Sequence, residues 1–261
     1  MPKYFDVHSH LNSSLYRKDF DEVIARLRET GTHTVVVGTD FESSKVAVDL
    51  AEKYEEIYAC IGVHPVDRLE SFEVEKFESL IQNPRVVMIG ECGLDFYHAD
   101  KVADYERQKK LFLDQVEFAL THDKPIMIHA RDAYKELLEI LEPIKEVELP
   151  LGSSTSKLRG NIHFFAGNVE VAKRFFDIGF TISFTGVITF THDYDEVIKS
   201  APLEMIMSET DSPYLAPVPY RGKQNEPSYV SEVVKRIAEI RGEDEETVRV
   251  ALVKNALSMI G

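Results

Sequence analysis

The residues best suited to chemistry recur in one kind of place, the end of a short apolar run. His8 and His10 close YFDVHSH, His64 lies in IGVHP, and Glu91 in MIGECGLDFY. His129 lies in IMIHARDA, His163 in NIHFFAGN and Asp211 in MSETDSPYLAP. Residues i and i+2 of a strand point the same way, so His8 and His10 can bind one ion from a rigid backbone. A single strand-end histidine is ordinarily a hydrogen-bonded core residue, and a His-x-His pair alone is an ambiguous signal. Four such histidines with a glutamate and an aspartate are different, because burying them without ions would desolvate two carboxylates and several imidazoles together. The set reads as two divalent cations per chain. His8, His10 and Asp211 hold the first, His129 and His163 the second, and Glu91 bridges. Imidazole suits zinc, manganese, iron or nickel, and carboxylates extend the choice to hard ions such as magnesium. Paired cations a few Å apart activate a water and clamp the attacking and leaving oxygens of a hydrolysis.

Elements that would position these residues follow from the apolar pattern. Eight β-rich runs (4–9, 32–39, 56–63, 85–92, 124–130, 160–165, 180–185 and 204–209) alternate with stretches of helical spacing. The helical stretches are 16–30, 42–54, 72–82, 103–122, 132–142, 168–177 and 192–199, with two more at 226–241 and 244–258. Continuous Val, Ile and Met runs mark strands buried on both faces, as in a parallel sheet. Eight of them predict an α/β fold of the (β/α)8 TIM-barrel type, in one domain over 1–261. A doubly wound open sheet is the alternative, but no G-x-G-x-x-G turn follows a strand. In such a barrel the candidate ligands all fall at the C-terminal rim, the face that carries active sites. The stretch EVELPLGSSTSKLRG, 146–160, reads as a flexible loop at the opposite face.

Bulk properties narrow the function. The chain has 261 residues and a formal charge of −15. Such acidity argues against gripping nucleic acid with a broad basic patch, though one local site can work where cations supply the positive charge. No run is long enough to span a membrane and no leader is visible, so no membrane role is expected. Cys60 and Cys92 read as buried reduced thiols, consistent with a cytoplasmic protein. With no interface signature, a monomer without an obligate protein partner is expected.

Further polar residues support the set. Asp6 is placed to orient an imidazole or to cap the strand end. His64 is a candidate catalytic or substrate contact, with Pro65 restricting its backbone. Arg131, Arg221 and Lys223 are candidates for binding phosphate oxygens, competing with ordinary surface charge. His33, His98, His122 and His192 do not fit the pattern and read as surface or structural.

Taken together, DVHSHLN, GVHP, GECGLDFY, IHARDA, HFFAGN and ETDSPYLAPVPYRGKQNEPSYV resemble the TatD family of metal-dependent deoxyribonucleases, in that family's order and over nearly the whole chain. The resemblance implies that His8, His10, Glu91, His129, His163 and Asp211 are the metal ligands, with Glu91 bridging. It implies hydrolysis of phosphodiester bonds, in single-stranded DNA or at 3′ ends. Asp211 would take the proton of the attacking water. His64 and Arg131 would stabilise the phosphate, Arg221 and Lys223 would steer the next one, and Tyr97 and Tyr214 would offer stacking faces. Two positions depart from the family pattern. Phe164 replaces a Cys and Ala166 a Ser, which bears on the pocket wall and leaves the ligands intact. Ser9 stands where Cys is common. Two alternatives stay open: a metal hydrolase of another bond (a small phosphoester, an amide or an aminoacyl-RNA ester), and a binding protein with vestigial metals.

Overall fold

The computed structural model describes residues 1–69, 71–145 and 158–261. Its strands are β1 (Tyr4–Ser9), β2 (Thr32–Val37), β3 (Ile57–Ile61), β4 (Val86–Asp95), β5 (Ile126–Arg131), β6 (Gly160–Ile162), β7 (Phe180–Phe184) and β8 (Ile206–Ser208). The helices are α1 (Phe20–Thr30), α2 (Phe41–Lys53), α3 (Val74–Ile81), α4 (Lys101–Thr121), α5 (Tyr134–Lys145), α6 (Val169–Asp177), α7 (Asp195–Ser200), α8 (Val230–Arg241) and α9 (Glu245–Ile260). Among the described residues the eight strands form one parallel sheet in sequence order. A bridge between Ser9 and Ser212 brings its two edges together, giving a nearly closed (β/α)8 barrel. The expected loop at 146–160 lies, up to 157, outside the described residues.

Two helix starts differ most from the spacing. Residues 14–16 form a 3-10 turn, and α1 begins only at Phe20. The turn is held because Tyr16 is buried and its hydroxyl donates to the Asn225 carbonyl, 2.7 Å away. The start expected at 226 is also a 3-10 turn, opened by Pro227, with α8 beginning at Val230.

The inside of the barrel has two zones. Phe5, Val7, Val35, Val37, Cys60, Met88, Met127 and Met207 form one apolar cluster with Val253, Ala256 and Met259 of α9. That helix therefore closes the end where the strands begin. The strand residues between them pack outward against the other helices, among them Val36, Ala59, Ile89, Ile128 and Ile182. At the other end polar side chains take over, and two breaks in strand register put them there. Register slips in β1 between Asp6 and Ser9, and in β4 between Ile89 and Cys92. A one-residue slip moves all later side chains to the opposite face. Met88 is in the inner cluster while Cys92 and Leu94 are in the outer one, so Glu91 faces inward. Gly90 and Gly93 both have φ of +144°, and a Cβ there would lie 2.5 Å and 2.1 Å from the Met127 and His129 carbonyl oxygens. Only glycine fits that backbone at that closeness. Both cysteines are buried and free, as expected.

Candidate metal centre

Glu91 is the centre of the polar zone. Its Oε2 lies 3.4 Å from His8 Nε2 and 3.7 Å from His10 Nε2. Its Oε1 lies 2.8 Å from His129 Nδ1, 2.8 Å from His163 Nε2 and 3.4 Å from His64 Nε2. One carboxylate thus turns one oxygen to each of two imidazole groups. Asp211 closes the first group, with Oδ1 3.7 Å from His8 Nε2 and 3.5 Å from His10 Nε2. It sits at φ 51°, a left-handed conformation that aspartate tolerates better than most residues, with its N–H donating to the His8 carbonyl. The Nε2 atoms of His8 and His10 are 3.2 Å apart, so the two rings do converge on one point.

Three buried carboxylates sit behind this arrangement, and two of them face its rings. Asp95 Oδ2 is 3.0 Å from His129 Nε2, which leaves that ring's Nδ1 facing Glu91. Glu209 accepts from Ser183 Oγ at 2.5 Å and from the Phe164 N–H at 2.9 Å, and its Oε1 lies 3.4 Å from His163 Nδ1. Carboxylates in such places fix the orientation and tautomer of a ligating imidazole. Asp6 does something else. It accepts from the backbone N–H and hydroxyl of Thr210 at 2.8 and 2.7 Å, so it ties β1 to the end of β8 rather than orienting a ring. The barrel's closing seam lacks a regular ladder, and the carboxylate supplies the missing acceptor.

The electrostatics follow from burial against charge. Burial works to raise the Glu91 carboxyl, but the surrounding His163, His64 and His129 hold it well below the usual carboxylate range. Burial opposes protonation of His163, yet Glu91 and Glu209 lift it well above an ordinary histidine. His8 is lowered by burial and by its neighbour His163. His64 is lowered by burial. A field that binds a proton this firmly between Glu91 and His163 also favours a cation. The donors, imidazole nitrogens and carboxylate oxygens aimed at shared points, fit divalent metals. Three groups could each hold one: His8, His10 and Asp211; His64, Glu91 and His129; and His8, His163 and Glu209.

The cluster forms the floor of a cavity of about 1110 Å³. Its walls include His64, Arg131, Tyr97 and Tyr214, and the two departing positions Phe164 and Ala166. Phe164 and Ala166 therefore lie on the pocket wall. Arg221 and Lys223 do not line it. The loop after β8 is pinned by Asn225, which donates to the Thr210 and Tyr214 carbonyls. The Arg221 guanidinium lies 4.0 Å over Phe190 and donates to the Ala216 carbonyl. Lys223 lies beside the Tyr220 ring. His98, read as surface or structural, lines the cavity, 2.9 Å from Asp95. Asp95 and Glu209 are not singled out by sequence, although each sits an even number of residues from a candidate ligand, Glu91 and Asp211. His8, Glu91 and His129 lie within or before the last residues of their strands, while His10, His163 and Asp211 follow theirs.

Comparison with known proteins identifies the family and the fold. A family described as TatD related DNase matches residues 5–261. The metal-dependent hydrolase YabD of Bacillus subtilis is 39% identical over 242 residues, covering 91% of each chain. The 3′-5′ ssDNA/RNA exonuclease TatD of Klebsiella pneumoniae is 30% identical over 268 residues, covering 98% of this chain and 97% of its own. The crystal structure of YjjV, a TatD homologue of Escherichia coli, superposes with a TM-score of 0.88 at 26% identity, over 99% of this chain and 98% of that one.

Proposed function

We propose, from the premise that this chain belongs to the TatD-related DNase family of metal-dependent hydrolases, that its reaction is hydrolysis of phosphodiester bonds in DNA from the 3′ end with two divalent cations. The observation that carries this is the two-sided contact of Glu91, one oxygen toward His8 and His10 and the other toward His129 and His163. The relative named a 3′-5′ ssDNA/RNA exonuclease supports the substrate class.

His8, His10 and Asp211 would hold one cation, His129 and His163 the other, with Glu91 shared. When bound, the cations would lower the pKa of a water and neutralise charge on the phosphate oxygens. Asp211, placed at the cavity edge of its cluster, takes the proton of the attacking water at a carboxylate oxygen. His64, kept neutral by burial, donates a hydrogen bond to a phosphate oxygen. Arg131, exposed at the mouth, offers its fork to the same group. Asp95 and Glu209 are positioning residues that hold His129 and His163 in place.

End-labelled single-stranded DNA and RNA, incubated with the protein and manganese, magnesium, zinc or nickel, test this. Stepwise shortening from the 3′ end is expected, and Asp211→Asn removes it without unfolding the protein. Hydrolysis of amides, small phosphoesters or aminoacyl-RNA esters with no shortening of any strand would assign the site to another bond.

A further inference from the structure

A second cavity, of about 760 Å³, opens beside the first. The two share Tyr97, Ala130, Arg131 and Ala166 as walls. The ridge between them is the Arg131 guanidinium, 4.9 Å from the Tyr97 ring centre. Beyond the ridge, Val171, Val197 and the half-buried Tyr194 give apolar surface. Asp132, Asp193 and Glu196 give acceptors at its edges. Among the described residues lining this cavity, Arg131 alone carries a positive charge. Three carboxylates repel a phosphate, so a nucleic-acid backbone would not enter. A nucleobase has the opposite character: flat apolar faces that stack on an aromatic ring, and an edge with N–H donors.

We propose that this cavity is a base subsite. It takes the base of the nucleotide adjoining the scissile bond, while Arg131 on the ridge binds a phosphate between the two nucleotides. The assignment rests on the nuclease reading above. It makes the ridge a divider between chemistry and recognition. It also gives the substrate a minimum length, because a mononucleotide ester cannot reach across. Bases with an exocyclic amino group, which donates to the acidic edge, are favoured over thymine.

The test compares Tyr194→Ala with wild type on three substrates: a single-stranded oligonucleotide, the same strand with an abasic residue placed in turn at each position near the 3′ end, and bis(p-nitrophenyl) phosphate. Loss of one base–aromatic stack raises KM by about tenfold. The variant is expected to show that rise on the intact strand. One abasic position should cause the same rise in wild type and no further rise in the variant. Turnover of the small ester reports the fold and should not move, while the melting temperature falls modestly because Tyr194 packs in part against the core. Equal losses for the variant on intact and abasic strands, or no loss at all, would overturn the base subsite while leaving nuclease activity standing. Wild-type protein that shortens no strand would overturn the nuclease reading and the subsite with it.

Discussion

Where the strands begin, Phe5, Val35, Met88 and Met207 meet Val253, Ala256 and Met259 of α9, and the barrel is sealed with hydrocarbon. Where they end, five imidazoles and four carboxylates face one another under an open cavity: His8, His10, His64, His129 and His163 with Glu91, Asp95, Glu209 and Asp211. Buried apolar area stabilises at about 25 cal/mol per Å². Buried charge costs free energy unless it is paired, and the mouth tolerates it because each carboxylate has a histidine, hydroxyl or backbone partner. The contrast separates labour within one barrel: the plug holds the fold, and the mouth gathers candidate metal ligands at some expense in stability.

The largest effect expected from this division is at Glu91. A cation supplies several kcal/mol of charge stabilisation, and ~1.4 kcal/mol is tenfold in rate. Glu91→Gln should therefore lower kcat by about a thousandfold or more, a far larger effect on turnover than on the melting temperature. Full turnover in that variant would break the comparison. Next, Met259→Ala in the plug should do the reverse. It should cost about 2 kcal/mol in urea unfolding, near the low end of the range because Met259 is 9% exposed, and leave kcat untouched.

The smallest effect concerns the brace of the mouth. Arg107 bonds Asp104 and also donates to the Pro65 and Asp67 carbonyls, next to His64. Its hydrogen bond holds Asp104 down at about 2, against the usual 3.8. A carboxyl depressed by folding stabilises above its ordinary pKa and loses that contribution as pH falls through the folded value. Asp104 should thus contribute fully above about pH 4 and fade toward pH 2. Arg107 is a third exposed, so screening leaves about 1 kcal/mol. Asp104→Asn should flatten the acid side of the stability curve by that amount, while Met259→Ala should lower the whole curve evenly.

The barrel was legible because continuous apolar runs and helical spacings alternate eight times, and local sequence agrees with topology at each step. The six ligand candidates were legible because each lies in the C-terminal half of a strand or just past it. What alternation could not show is which way they point. Counting outward from Phe5 and Val7, His8 belongs with the helix-facing Tyr4, and only the slip after Asp6 turns it inward. Glu91 depends in the same way on the slip beside Gly90. A glycine in sequence permits a bend without fixing its direction. Asp95 and Glu209 were passed over because a carboxylate gains its role from the ring it faces, which lies on another strand. Arg221 and Lys223 look like phosphate contacts from their place after the last strand, yet neither lines the cavity; Arg221 packs over Phe190 and Lys223 lies beside Tyr220.

The central claim is that Glu91 joins two cation positions, and anomalous diffraction from manganese-soaked crystals tests it most directly. The account predicts two peaks, one beside His8, His10 and Asp211 and one beside His129 and His163, each within ligand distance of a different Glu91 oxygen. A single peak, or two of which only one touches Glu91, would contradict it.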